Sequence, residues 1–454
     1  MINKISIYLK TYQKTAPLAV FRLCFGAIMA YATASFVLGG WVEAYYITPQ
    51  FHFKYFGFEW VKPLGYATYG VYALVFCSAI GICVGYKYRI STILFFLSFT
   101  YTTLLDKTYY LNHYYFIILV SFLLIFIPAH CYFSVDAYRN KAIAYTKIPR
   151  LYIDSLKLML CIVYICAGLA KINSDWLSDA LPLSIWLPVK SEIPLLGSFL
   201  DQKWVAYAMS WGGMLYDLSI PFLLLYRRTR WFGFTLVIIF HVLTKIVFPK
   251  IGIFPLVMIT STLLFFDAKV HLAIISFIKK IVRIKWQQGS NSLPLISGVK
   301  KQLLITTLII FFSIQLVFPF RYLLYPDELF WTEEGYPFSW RVMLTEKGGS
   351  VQYRVLNPEN DKMLRIEHAQ YLTPYQEKQL RTKPDFIIQF AHYLKAIYQK
   401  KGIKNPKVYV DSYISLNGRL SQRYIDPNFD LTSTKDSFKH KDWILPFNDT
   451  IYGF

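Results

Sequence analysis

Leu303-Leu304-Ile305-Thr306-Thr307-Leu308-Ile309-Ile310-Phe311-Phe312-Ser313-Ile314-Gln315-Leu316-Val317-Phe318 contains no charged residue. A helix of this length nearly matches the ~30 Å hydrocarbon core of a bilayer, whereas a buried soluble helix needs only ten to twelve apolar residues or so. Lys300 and Lys301 stand before it, and beyond about residue 320 the composition changes. The stretch therefore reads as the last membrane-spanning helix, 301–318. It borders a membrane part, 1–319, and a soluble part, 320–454.

Similar apolar runs precede it near 16–40, 66–86, 90–105, 110–128, 151–171, 205–226, 231–248 and 251–267. The chain is 55% hydrophobic and 19% aromatic, with mean hydropathy +0.36, which leaves too little polar surface for a soluble protein. The expected fold is a polytopic α-helical membrane protein of about nine transmembrane helices with a C-terminal extracytoplasmic α+β domain. Ala30-Tyr31-Ala32 loosely fits a signal-peptide cleavage site, but the apolar run continues past it, so the first run is expected to remain a span.

A soluble protein with a net charge of +21 would suggest nucleic acid. Here the charge lies mostly in alternate short loops, and no nucleic-acid partner is expected. Lys4, Lys10 and Lys14 precede the first run; Lys87 and Arg89 follow the second. Arg139, Lys141, Lys147 and Arg150 follow the fourth, and Arg227, Arg228 and Arg230 the sixth. Lys269, Lys279, Lys280, Arg283, Lys285, Lys300 and Lys301 follow the eighth. The intervening loops are mixed in charge. Positive residues mark the cytoplasmic side, so the N-terminus is expected in the cytoplasm and the C-terminal part outside. The six cysteines lie in or beside apolar runs, without metal-ligand spacing, and read as small buried hydrophobes.

In the C-terminal part, Val351–Val355 and Val408–Asp411 alternate apolar with polar residues, as strands do. Residues 375–401 have helical spacing, with a break expected near Pro384. Gly81 and Gly85 make a single G-x-x-x-G match, weak evidence for dimerisation.

Ionisable groups at membrane depth cost several kcal/mol and need a reason. Asp106 and Lys107 read either as an interfacial turn or as part of a site, while Asn112 and His113 lie inside the fourth run. Lys171 ends the fifth run. It is either a helix-end cation that snorkels to water or a base whose neutral amine takes a proton from a weak acid. Trp211-Gly212-Gly213 lies in the sixth run and leaves room for a close helix or a flat ligand. Asp217 follows near mid-membrane and needs a partner. His241, in the seventh, is either a hydrogen-bonded structural histidine or part of a site.

These segments resemble the vitamin K-dependent gamma-carboxylase family and its bacterial HTTM-domain relatives. The similarity rests on Asp106-Lys107-Thr108 with Asn112-His113, Ala167-Gly168 with Lys171, Asp175-Trp176, Trp211-Gly212-Gly213 with Asp217, His241, and Gly252 with Phe254. It continues through Phe338-Ser339-Trp340, Leu356-Asn357-Pro358, Ser415 with Asn417 and Arg419, and Arg423 with Asp426-Pro427. The stretch from Tyr46 to Trp60 looks more like bacterial members, which implies a bacterial inner membrane.

The resemblance implies a carboxylase, among the carbon-carbon lyases, coupled to quinol epoxidation. Lys171 would be the catalytic base for reduced vitamin K (menaquinol or phylloquinol), and His113 a second catalytic residue. Asn112, Trp211, Gly212, Asp217 and His241 would hold the quinol. Oxidation by O2 would drive γ-proton removal from a glutamate in a peptide or protein substrate, and CO2 would add; no metal is implied. Arg419 and Arg423 would bind the substrate carboxylate or merely hold the domain together. Membrane lipids are the other expected partner. Animal members are longer and carry histidine and arginine where Arg341–Lys347 lies here, which bears on the glutamate site and propeptide recognition rather than on the quinol site. The competing readings are quinol epoxidation without protein carboxylation and a non-enzymatic transporter or lipid-binding protein. The last would need polar residues along a path across the bilayer.

Overall fold

The computed structural model describes residues 7–283, 289 and 291–453. Lys4 and Lys285, counted among the basic residues, lie outside the described residues. The longer helices of the membrane part are α1 (Ala16–Leu38), α2 (Thr68–Val84), α3 (Tyr88–Leu104), α4 (Asn112–Phe126), α5 (Leu151–Leu169), α6 (Lys203–Leu225), α7 (Arg230–Val247), α8 (Phe254–Thr262), α9 (Ala268–Val282) and α10 (Gly298–Val317). Each expected apolar run is helical. Six described helices (α1, α2, α5, α6, α7 and α10) are long and apolar enough to cross a membrane, fewer than the nine expected. The α2 and α10 spans each include an adjoining 3-10 turn, Gly65–Val84 (20 residues) and Gly298–Leu324 (27 residues), whereas α3 has 17 residues, α4 has 15 and α8 has 9. Pro128 lies two residues beyond the end of α4, and α8 starts only after the Gly252 turn at φ +71°. The amphipathic α9 falls in the basic loop expected after the eighth run, because its lysines interrupt the apolar pattern.

Small residues and one buried cation hold the first helices together. A Cβ on Gly26 of α1 would lie 2.4 Å from the Cys83 backbone nitrogen of α2, so only glycine permits this approach. Gly81 likewise packs within the chain, where a Cβ would meet Ser91 Oγ at 2.3 Å. Arg22 is fully buried and donates to the carbonyls of Ala129, Ile82, Cys83 and Phe133, which satisfies its guanidinium without a carboxylate. All six cysteines are free; Cys131, Cys161 and Cys166 are buried, whereas Cys77 is exposed.

Several basic loops meet on one face. β1 (Tyr12–Lys14) pairs antiparallel with β2 (Tyr145–Pro149), which pairs parallel with β3 (Asn291–Ser292). Asp136 accepts from the backbone N–H groups of Lys87 (2.8 Å) and Tyr88 (2.9 Å), and Arg230 pairs with Asp267 at 3.2 Å. These contacts join segments that lie far apart in sequence.

The C-terminal region carries a four-stranded antiparallel sheet, ordered β5 (Lys362–Ile366), β4 (Lys347–Asn357), β6 (Lys407–Leu416), β7 (Gln422–Arg423). The expected strands lie within β4 and β6. The expected helix is divided into α11 (Pro374–Leu380) and α12 (Pro384–Lys400). Pro384 starts a helix well but, within one, would lack the N–H the ladder needs. Phe386, Phe390, Ala391 and Leu394 of α12 are buried in one core with Tyr353, Val355, Val408 and Val410 of the sheet. This region docks on the mixed-charge loops. Gln389 exchanges hydrogen bonds with the Lys54 backbone (2.8 and 3.0 Å), Gln376 donates to Asp106 (3.1 Å), and Lys107 pairs with Asp385.

Candidate active site

α5 ends at Leu169, and Lys171 lies in the turn just beyond it. Gly168 allows α6 to approach closely: a Cβ there would sit 2.7 Å from Leu218 Cδ2. That approach brings Asp217 of α6 to the lysine. Lys171 Nζ donates to Asp217 Oδ2 at 2.7 Å and to Ala167 O at 3.2 Å, and lies 5.6 Å from the centre of the Trp176 ring. Both charged side chains are buried, at 7% and 6% exposure, so each serves as the other's counter-charge. This is the partner for Asp217 that sequence reading could not name, because it lies 46 residues away.

The pair lines a mostly apolar cavity of about 950 Å³, including its open mouth. Asn112, His113, Trp176, Gly213, His241 and Trp340 share the wall. Asn112 Oδ1 accepts from Tyr110 at 2.9 Å while its amide donates to Arg341 O at 3.2 Å. The buried His113 ring packs beside Phe254, with centroids 5.9 Å apart. His241 Nε2 lies 3.4 Å from the Tyr164 hydroxyl. His241 Nδ1 and Trp340 Nε1 are buried without a hydrogen-bond partner among the described residues. Such atoms are costly unless something polar completes them.

The remaining expected residues lie elsewhere. Gly213 faces the cavity, so its helical neighbours Trp211 and Gly212 point outward. Trp211 is 47% exposed and donates to Leu177 O at 3.0 Å. Arg419 grips Asp175 with both terminal nitrogens (2.8 and 2.7 Å), and its Nε donates to Asp449 at 2.7 Å. Hydrogen bonding to Asp175 foremost, and to Asp449, holds this guanidinium above its ordinary pKa. Arg423 is at the surface, where it donates to the Tyr413 hydroxyl at 2.8 Å. Neither arginine lines the cavity. Arg419 instead fixes the turn that carries Trp176, whose indole N–H donates to Ser210 O at 2.8 Å. Tyr164, which lines the cavity with its hydroxyl near His241, was missed because one tyrosine in an apolar run carries no signal.

The HTTM domain family model matches residues 11–269, and that of the lumenal domain of vitamin K-dependent gamma-carboxylase matches residues 300–450. The chain belongs to the vitamin K-dependent gamma-carboxylase family. No solved structure gives a significant match. The gamma-carboxylase lumenal-domain match takes in the sheet region and the 340–343 segment that roofs the cavity. A vitamin K-type quinol fits this cavity on the structure's own terms. The walls are mostly apolar and partly aromatic, which suits a fused ring, and Lys171, Asp217, Asn112 and His113 are polar groups among them. Among the described residues, no group of three or more His, Cys, Asp or Glu side chains is placed to share a metal ion.

Proposed function

We propose that this protein couples the epoxidation of a reduced vitamin K-type quinol, menaquinol or phylloquinol, by O2 to the carboxylation of glutamate in a peptide or protein by CO2. The carrying observation is the Lys171–Asp217 pair, 2.7 Å apart in the wall of an apolar cavity. A bound quinol supplies, through its oxidation, the driving force to remove a γ-proton too weakly acidic for any side-chain base.

The chain's own residues bind, orient and move the first proton. Lys171 and Asp217 act as one unit, because an ammonium–carboxylate pair and an amine–acid pair differ only by a proton shifted along their hydrogen bond. Passing that proton to Asp217 frees the Lys171 amine to accept one from a weakly acidic hydroxyl. The ammonium so formed stabilises the new anion beside it, and the Trp176 ring favours that charge. Asn112, His113 and His241 hold the ring oxygens, while the apolar walls keep water from the reaction. Trp340, Val342 and Met343 put the C-terminal region at the cavity, so a bilayer-borne reactant and a peptide from outside meet there. The reading places the N-terminus in the cytoplasm of a bacterial cell and the C-terminal region outside the inner membrane.

Epoxidation without protein carboxylation is the second reading. It is favoured by Arg419, whose guanidinium is already engaged by Asp175 and Asp449. The test uses purified protein with menaquinol or reduced vitamin K, O2, labelled bicarbonate and a glutamate peptide. Wild type should yield both epoxide and fixed label; folded Lys171→Ala and Lys171→Arg should yield neither, since guanidinium cannot accept a proton. Epoxide without label selects the second reading. Unchanged epoxide formation by Lys171→Ala would return Lys171 to a helix-end cation.

A further inference from the structure

α9 has two unlike sides. His271 (0% exposed) and Ile275 (1%) turn inward, and Ile275 packs with Ala16, Ala19 and Val20 at the start of α1. Phe277 (65%), Ile281 (65%) and Val282 (55%) are exposed near its C-terminal end. Phe277 and Ile281 are four residues apart and share a face. Lys279 and Lys280 occupy the last turn, and Arg283 caps the helix. Asp267, just before α9, pairs with Arg227 (3.3 Å) and Arg230 (3.2 Å), which ties the helix to the basic face of the protein. At 15 residues α9 is too short to span a bilayer.

We propose that α9 lies in the plane of the bilayer on the basic face and binds anionic phospholipid headgroups. Lys279, Lys280 and Arg283 would meet the phosphates, and Phe277 and Ile281 would enter the acyl boundary. Large apolar side chains beside a run of cations are the signature of an interfacial helix, and the cations select anionic over zwitterionic lipid. A partner protein covering the same patch would leave three positive charges needing carboxylates. The short acidic inventory of this face, where Asp267 is already paired, makes a second copy of the chain a poor source.

The test uses full-length protein in nanodiscs of phosphatidylcholine with or without phosphatidylglycerol. A photo-crosslinking benzoylphenylalanine placed at position 281 should attach to lipid. Lipid retained through detergent exchange should be enriched in phosphatidylglycerol. Lys279→Gln/Lys280→Gln/Arg283→Gln should lower that enrichment by about fivefold or more, on the usual scale for basic residues at an anionic surface. These residues are remote from the cavity, so the quinol reaction in phosphatidylcholine serves as the folding control. Crosslinks to another protein chain, or phosphatidylglycerol enrichment unchanged in the triple variant, would overturn the proposal.

Discussion

Lys171, Asp217 and Gly213 line the cavity together, and under the proposed function each can be changed with a distinct expected outcome. A Cβ on Gly213 would lie 3.7 Å from Trp176 Cζ2 and 3.9 Å from Lys171 Cε, which is ordinary contact. Gly213→Ala should therefore fold, gaining up to ~1 kcal/mol of helix propensity, and keep most of its activity. Gly213→Leu should fill the space beside Lys171 and abolish quinol binding, read as lost epoxide formation with an unchanged melting temperature. Asp217→Leu alone strands a buried cation, a change expected to cost about 3–5 kcal/mol. Lys171→Met/Asp217→Leu should recover much of that loss in a thermal melt while forming no epoxide. A double variant that stayed active would separate the pair from the reaction.

At the scale of elements, the C-terminal region docks on the membrane part through a shared apolar core, where the Phe53 and Phe386 rings stack 4.1 Å apart, and through polar contacts that include the buried Lys107–Asp385 pair. Asp385 sits in the first turn of α12, where the helix N-terminus also favours an anion. Burial opposes both charges. Lys107 nevertheless holds the Asp385 carboxyl below its ordinary pKa, and Asp385 holds the Lys107 ammonium above its own. The depressed carboxylate contributes stability above the ordinary carboxylate range, and this is lost as pH falls through its lowered pKa. The raised lysine contributes below the ordinary lysine range, and this is lost only as pH rises through its raised pKa. The pair is thus intact near neutrality. Lys107→Met should cost about 3 kcal/mol there. The gap from wild type should narrow as pH falls toward about 4, where Asp385 in the variant is readily protonated. Limited proteolysis of the α11–α12 segment across pH would report it; a gap independent of pH would show that docking does not depend on this pair.

For the whole molecule, loops that alternate in charge also alternate in the contacts they make. β1, β2 and β3 join three basic segments, and the C-terminal region docks on the mixed-charge loops through Asp106, Lys107 and Asp175. We predict that cysteines introduced into the Arg227–Arg230 loop label only after the membrane is opened, and that cysteines at the exposed Leu420 label in intact cells. Labelling of the Arg227 loop from outside would reverse the orientation.

The apolar runs by themselves determined where the helices lie, because bilayer crossing needs long uncharged segments and leaves little freedom in composition. Alternation over a few residues was enough to mark β4 and β6, and Pro384 to break the last long helix. Residue type at depth singled out Lys171, Asp217, His113 and His241, since buried charge and imidazole are rare without a purpose. Sequence did not determine lengths or partners. α9 was hidden because its lysines look like loop, and α4 and α8 are shorter than their apolar runs because turns at Pro128 and Gly252 bound them. Tertiary structure alone decided that Asp217 pairs with Lys171, that Trp211 and Gly212 face away from the cavity while Gly213 faces in, and that Arg419 grips Asp175. These facts depend on helix rotation and close approach at Gly168, which are set by packing between elements and leave no periodic trace in one chain.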